Sequence, residues 1–210
     1  MRGFFLVVEG MEASGKTTLV SGLSEHLKNL GYPVVLTREP GGTPVGEAVR
    51  SILSDPENDM HPWSEFFLFL AARAENTRKL ILPALRERKL VISDRFYHSS
   101  FAYQGAARGL PVKVLRRVNK LATGGLVPDL TIIADAPVDV ALKRLSGSRD
   151  RIEREDPEFH RKVRQAYLDM AKKSGRRIKI VETTGPPEES LEIALDMVLE
   201  RLKTKRRNLK

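Results

Sequence analysis

A three-layer α/β domain, with a five-stranded parallel sheet and helices on both faces, is the fold class this 210-residue sequence predicts. Two observations carry that reading. Short apolar runs alternate with segments of helical periodicity, and the first strand-to-helix junction is a glycine-rich loop. Strands are expected at 4–8, 34–37, 90–93, 130–134 and 178–181. Helices are expected at 16–29, 44–54, 64–87, 97–106, 112–123, 138–146, 157–174 and 187–203. Strands separated by helices pair in parallel, and such sheets bind ligands beyond the carboxyl ends of their strands.

The first strand, Phe4-Phe5-Leu6-Val7-Val8, is short and apolar enough to be buried. Gly10-Met11-Glu12-Ala13-Ser14-Gly15-Lys16-Thr17 follows it, a full G-x-x-x-x-G-K-T phosphate-binding loop. Leu19, Leu23, Leu27 and Leu30 then recur at helical spacing, and Gly31 closes the helix. Backbone N–H groups of such a loop surround phosphate oxygens, and the helix N-terminus adds partial positive charge. Gly10, Ala13, Ser14, Gly15 and Thr18 are therefore candidate nucleotide contacts. Lys16 would reach the β- and γ-phosphates, and Thr17 would offer its hydroxyl to Mg²⁺. The chain is read as binding a nucleoside triphosphate.

Further along, the helix at 44–54 opens at Pro44, and the helix at 64–87 crowds Phe66, Phe67 and Phe69 together. The strands at 90–93 and 130–134 each end in a carboxylate, Asp94 and Asp135. Either stands where a Mg²⁺ ligand is wanted, and spacing does not choose between them. Arg95, directly after Asp94, has the planar fork that bridges phosphates. Residues 146–156 are polar, charged and glycine-containing, the pattern of a mobile loop between two helices. Repeats, low-complexity blocks and interdomain linkers are absent from the sequence.

Composition bounds the function class. The length suits one domain with a substantial core. No apolar run approaches the ~20 residues of a bilayer span, and the N-terminal run is too short for a secretion signal. With no cysteine there is neither a disulfide framework nor a thiolate metal site. A cytoplasmic location with no membrane partner is the expectation. The net charge of +9 raises a nucleic-acid partner as an alternative. Much of it sits in a basic tail at 203–210, read as a frayed helix end, and elsewhere it interleaves with acids, as in Arg86-Glu87-Arg88-Lys89. A positive cleft for polyphosphate accounts for the rest, so no nucleic acid is expected.

The phosphate loop alone leaves GTPases, motors and kinases open. The only Asn-Lys pair, Asn119-Lys120-Leu121-Ala122, falls in a helix and lacks the aspartate of a guanine reader. Five stretches together resemble the thymidylate kinase family. They are Glu9 through Thr18, Thr37-Arg38-Glu39-Pro40-Gly41-Gly42-Thr43, Leu68-Phe69-Leu70-Ala71-Ala72-Arg73, Asp94 through Gly105, and Pro128-Asp129-Leu130-Thr131. The likeness extends to about Ala171 and weakens towards the tail.

The resemblance implies one P-loop kinase domain over residues 1–210, with a short lid at about 146–156. Its activity would be Mg²⁺-assisted transfer of the γ-phosphoryl of ATP to dTMP, for dTTP biosynthesis, and its usual state a homodimer. By the same resemblance, Phe69 stacks on thymine, Arg73 donates to O4, and Gln104 pairs with the base edge. Tyr103 lies where a 2′-hydroxyl would sit, and Ser99 and Ser100 touch base or sugar. Glu12 accepts from the 3′-hydroxyl. Arg38, Arg50 and Arg95 hold the acceptor phosphate, and Glu39 makes a water-mediated contact to metal or phosphate. Residues 11–14 contain no arginine, so the resemblance asks the lid to supply the catalytic one. Arg151 is the first choice there, with Arg149 and Arg154 towards ATP and Arg144 covering the adenine. The expected catalytic set is Lys16, Arg95, Arg151 and Glu12, and the expected metal ligands are Thr17 and Asp94.

Three positions depart from the family pattern: Ala13 for a frequent glycine, Phe96 for a tyrosine and Asn76 for a histidine. The rival readings are another nucleoside monophosphate or deoxynucleoside kinase and an ATP-driven nucleic-acid protein. Phe69, Arg73 and Gln104 speak against the first, and only the basic tail suggests the second.

Overall fold

The computed structural model describes residues 3–145 and 150–207. Five strands, β1 (Phe4–Glu9), β2 (Val34–Arg38), β3 (Leu90–Asp94), β4 (Leu130–Asp135) and β5 (Ile178–Glu182), form one sheet in the order β2-β3-β1-β4-β5. Every pairing is parallel. β1 is central, and all six of its residues are buried, which is why it reads as an unbroken apolar run rather than an alternation. Phe4, Leu6 and Val8 face one layer, packed with Leu19, Leu23 and Leu27 of α1 (Lys16–Asn29) and Ala194, Val198 and Leu202 of α9 (Pro187–Arg207). Phe5 and Val7 face the other, where Ile81, Leu85 and Phe96 pack. That period-two split of one strand between two helical layers is the three-layer architecture in miniature.

The remaining helices are α2 (Pro44–Ser54), α3 (Pro62–Asn76), α4 (Leu82–Arg86), α5 (Tyr97–Ser100), α6 (Val112–Thr123), α7 (Val138–Arg144) and α8 (Pro157–Ser174). The single helix expected at 64–87 is instead α3, a π-helical stretch Thr77–Ile81, and α4. Pro83 supplies no N–H to the preceding turn, so a regular α-helix cannot pass through it. The helix expected at 97–106 likewise widens into a π-helical stretch, Phe101–Ala107, after α5. The tail expected to fray is helical through Arg207, and Lys205 is tied down. Its Nζ donates to Gly3 O at 2.8 Å and to Asp129 Oδ2 at 2.6 Å, above the Phe4 ring.

The loops after β1 and β3 emerge at adjacent strand ends: Arg95 N donates to Val8 O at 2.8 Å, and Glu39 N, just past β2, donates to Asp94 O at 2.8 Å. Of the segment expected to form a lid, residues 151–154 are turn and residue 155 is a bend. Asp150 Oδ1 accepts from Ile152 N and Glu153 N, and the Asp156 side chain caps α8 through Phe159 N at 2.7 Å. Arg149 lies outside the described residues.

Candidate active site

Two cavities open beyond the carboxyl ends of the strands, of about 600 Å³ and 470 Å³, and both are lined by Ala13, Lys16 and Thr17. The phosphate loop is thus the wall they share. Gly10 is required there: at φ 146° its backbone is unusual for an L-residue, and a Cβ would stand 2.4 Å from Ala134 O. Ala13 holds φ 53°, in the left-handed region. That costs an L-residue roughly 1–2 kcal/mol and accounts for the glycine common at this place in the family pattern. Thr183 Oγ1 pins the loop by donating to Ser14 O at 2.7 Å. The Lys16 ammonium donates to Met11 O across the loop. Burial, with Arg95 beside it, lowers the Lys16 pKa to about 8.

The two strand-end carboxylates differ in their partners. Asp135 is gripped by Arg164 of α8, Nε and Nη2 each 2.8 Å from one oxygen. Asp94 makes no ion pair among the described residues, lines the larger cavity beside Thr17, and keeps a buried Oδ1 without a hydrogen-bond partner there. Among the described residues no cluster of three or more His, Cys, Asp or Glu could chelate a metal unaided. One carboxylate and one hydroxyl beside a phosphate site suit Mg²⁺, which keeps several waters and takes its other oxygens from phosphates.

Arg95 sits at φ 71°, a left-handed conformation for a bulky residue, immediately past β3. Its Nη1 donates to Gly10 O at 2.8 Å and its Nη2 to Glu12 Oε1 at 2.7 Å. The Tyr103 hydroxyl lies 2.8 and 2.9 Å from the two Glu12 oxygens, with Arg95 stacked on the Tyr103 ring. Burial alone would raise the Glu12 pKa. The Arg95 and Lys16 charges and the tyrosine bond outweigh it and hold the carboxyl below its ordinary value. An ionised carboxylate of the loop thus lines the larger cavity.

Phe69, Arg38, Glu39, Arg50, Ser99 and Gln104 also line the larger cavity. Arg38 pairs with Glu47 at 2.8 Å, and Arg50 donates to Pro40 O. Arg73 and Ser100 do not line it. The Arg73 guanidinium is 1% exposed and donates to Glu39 Oε2 (2.6 Å), Ser100 Oγ (2.8 Å), Asn119 Oδ1 (2.7 Å) and Phe96 O (3.2 Å). Four of its five N–H groups are committed. In this geometry Arg73, the expected base reader, is a buried cross-brace that ties α3 to the Glu39 turn. Glu39, held by Arg73, has its pKa raised to about 7 by burial.

Arg151 is likewise not at the cavity wall. Its Nε donates to Leu53 O at 3.1 Å and its Nη1 to Glu65 Oε2 at 2.7 Å, while Nη2 is buried without a partner. The expected catalytic lid arginine is, in this geometry, a strut between lid and α3. Arg154 is about half exposed, beside Glu57, and lines neither cavity. Arg144 lines the smaller cavity with Thr18, Thr183 and Gly185, its Nη2 donating to Thr183 O at 2.8 Å.

Several participants were invisible to motif reading. Glu9, fully buried, accepts from Phe96 N, Ser99 N, Ser99 Oγ and Tyr167 OH, so the Ser99 hydroxyl is held from beneath; burial raises its pKa. Asn119 on α6 holds Arg73. Glu65, also fully buried, receives Gln104, Arg108 and Arg151. A signal for it existed: Glu65, Phe69 and Arg73 recur every fourth residue, one stripe of α3. Of the departures, Phe96 packs edge-on against Phe5, ring centroids 5.1 Å apart, and Asn76 accepts from Thr37 Oγ1 at 2.8 Å.

Comparison with known proteins agrees with this geometry. The family model described as thymidylate kinase matches residues 8–193. The thymidylate kinase of Pelotomaculum thermopropionicum is 47% identical over 188 residues, 88% of this chain and 87% of that protein. That of Deinococcus radiodurans is 42% identical, covering 90% and 92%. The crystal structure of thymidylate kinase from Ehrlichia chaffeensis superposes with a TM-score of 0.80 at 32% identity, covering 95% of this chain and 100% of that one. With a shared phosphate-loop wall, an ionised loop carboxylate and relatives alike over nearly the full length, the chain belongs to the thymidylate kinase family.

Proposed function

We propose that this chain transfers the γ-phosphoryl of ATP to dTMP, working as a cytoplasmic homodimer with Mg²⁺. The observation that carries it is the shared wall: Lys16 and Thr17 line both cavities, so a donor in the smaller and an acceptor in the larger meet over the phosphate loop. ATP lies along α1's N-terminus, its adenine near Arg144 and Gly185 and its phosphates in the loop. In the larger cavity Phe69 offers a face for the thymine and Gln104 its edge. Arg38, Arg50 and Arg95 hold the monophosphate. Glu12 accepts from the 3′-hydroxyl, with Tyr103 closing the side on which a ribose would carry its 2′-hydroxyl. Thr17 and Asp94 would hold Mg²⁺, which when bound neutralises charge on the phosphates. Lys16 and Arg95 stabilise the charge spread over the transferring group's oxygens. Positioning and charge suffice, with no covalent intermediate on the enzyme.

The test is ADP release with Mg-ATP and a panel of dTMP, dUMP, UMP, dCMP, dGMP and AMP. The reading requires strong preference for dTMP. Preference for another monophosphate overturns the acceptor assignment, and silence across the panel overturns the reaction.

A further inference from the structure

Glu65 is a carboxylate with no exposure at all, in the first turn of α3. Its Oε1 accepts from Gln104 Nε2 at 2.7 Å. Its Oε2 accepts from Arg151 Nη1 at 2.7 Å and from Arg108 Nη2 at 3.2 Å, and Arg108 in turn pairs with Glu155 at 2.6 Å. One buried carboxylate therefore holds a side chain of the acceptor cavity and, through two guanidiniums, both ends of the described lid turn.

The consequence for Gln104 is chemical. A primary amide has a donor end and an acceptor end, and only its surroundings decide which faces a ligand. A carboxylate facing two guanidiniums offers only lone pairs, so it must take the NH₂ end. The amide oxygen is then left for the cavity that Gln104 lines, and it accepts no hydrogen bond from the described residues. A ring nitrogen bearing a hydrogen matches that oxygen. A ring nitrogen presenting a lone pair is repelled by it. Those alternatives are N3 of a 4-oxo pyrimidine and N3 of a 4-amino pyrimidine.

We infer that Glu65 is a specificity-determining positioning residue, which sets the Gln104 amide to accept from the base N3–H and hangs the lid on the same carboxylate. This rests on the dTMP kinase reading of the larger cavity. Base identity and lid docking then share one anchor. A base that repels the Gln104 oxygen strains Glu65 and with it the seat of Arg151. Discrimination between thymine and cytosine belongs to this buried acid as much as to the side chain that touches the base.

The experiment compares kcat/KM for dTMP and dCMP in the full-length enzyme and in Glu65→Gln. A glutamine at 65 can take either end of the Gln104 amide, so residue 104 is free to turn. The dTMP-to-dCMP ratio should fall about tenfold or more, since a site built around one hydrogen-bond pattern loses discrimination when the pattern is freed. A ratio unchanged while both substrates lose rate equally overturns the inference, because a merely structural acid would act on both alike. If Glu65→Gln does not fold, Glu65→Asp keeps the charge for both arginines and withdraws it by one methylene from Gln104. The same fall is expected, and an unchanged ratio again overturns it. The underlying reading fails separately, when the unaltered enzyme shows no preference for dTMP.

Discussion

Lys16 titrates where it can be watched. Burial and the neighbouring Arg95 depress its pKa to about 8, so near pH 8.5 much of the population is neutral before nucleotide binds. Phosphate oxygens favour the ammonium, so ADP binding must draw a proton from buffer. Calorimetry at pH 8.5 in two buffers of different ionisation heat should show uptake of about half a proton or more per site. Lys16→Met should abolish the uptake, and equal heats for the unaltered enzyme would refute it. His98 makes a second residue-scale case. Burial first, and then the Arg73 charge, lowers its pKa to about 3, whereas the unfolded chain protonates it near 6.5. Between those values the unfolded state binds the extra proton, so this contribution to stability is whole above pH 6.5 and is lost as pH falls towards 3. Glu9 and Glu39, raised by burial, act in the opposite sense, so the measurable quantity is a difference. The melting temperature of His98→Asn should fall less steeply than the unaltered protein's from pH 6.5 to 4, and parallel curves would sink the idea. Motif reading located Lys16 because its chemistry is local to eight residues of loop. It did not show the brace around Arg73, whose partners Glu39 and Asn119 lie 34 and 46 residues away and leave no trace in periodicity.

At the scale of elements, the lid decides what Arg151 is for. A direct catalytic arginine and a lid strut make different predictions, and the contacts with Glu65 Oε2 and Leu53 O favour the strut. Arg151→Ala removes both and leaves Glu65 with only Arg108 of its two cations, which should loosen residues 150–156. We expect faster amide exchange across that turn, a several-fold rise in the KM for dTMP and about a tenfold loss of kcat, since the closed lid excludes water. Loss confined to kcat, with exchange unchanged, would restore the direct role. The elements themselves were legible almost throughout, because β1, α1 and α8 each carry an apolar pattern long enough to fix their type. What escaped was winding. The π-helical stretches Thr77–Ile81 and Phe101–Ala107 keep helical periodicity while altering which side chains share a face. Tyr103 and Gln104 lie on the second stretch, so their joint approach to the cavity was not deducible from a 3.6-residue wheel.

For the whole molecule, the question is what covers the outer side of the acceptor pocket. α3 carries Glu65, Phe69 and Arg73 inward and packs on α6, yet this pair leaves Phe67 54%, Val114 40% and Leu121 75% exposed. Trp63 stacks on Phe67, ring centroids 5.8 Å apart, extending the apolar patch. A second copy laid on these two helices would bury that surface, and a stable interface of this kind removes more than about 1,000 Å² from water. Sedimentation should therefore give the mass of two chains. Phe67→Glu forfeits the roughly 1.5–3 kcal/mol of burying a phenylalanine and adds a charge to desolvate, so dimer affinity should weaken by about a hundredfold or more. The effect should reach the site. With α3 uncovered, the stripe that seats the base and anchors the lid loses its outer support, and the KM for dTMP should rise in step with the monomer fraction. A variant that stays dimeric, or a monomer with unaltered KM, would separate the pocket from the assembly.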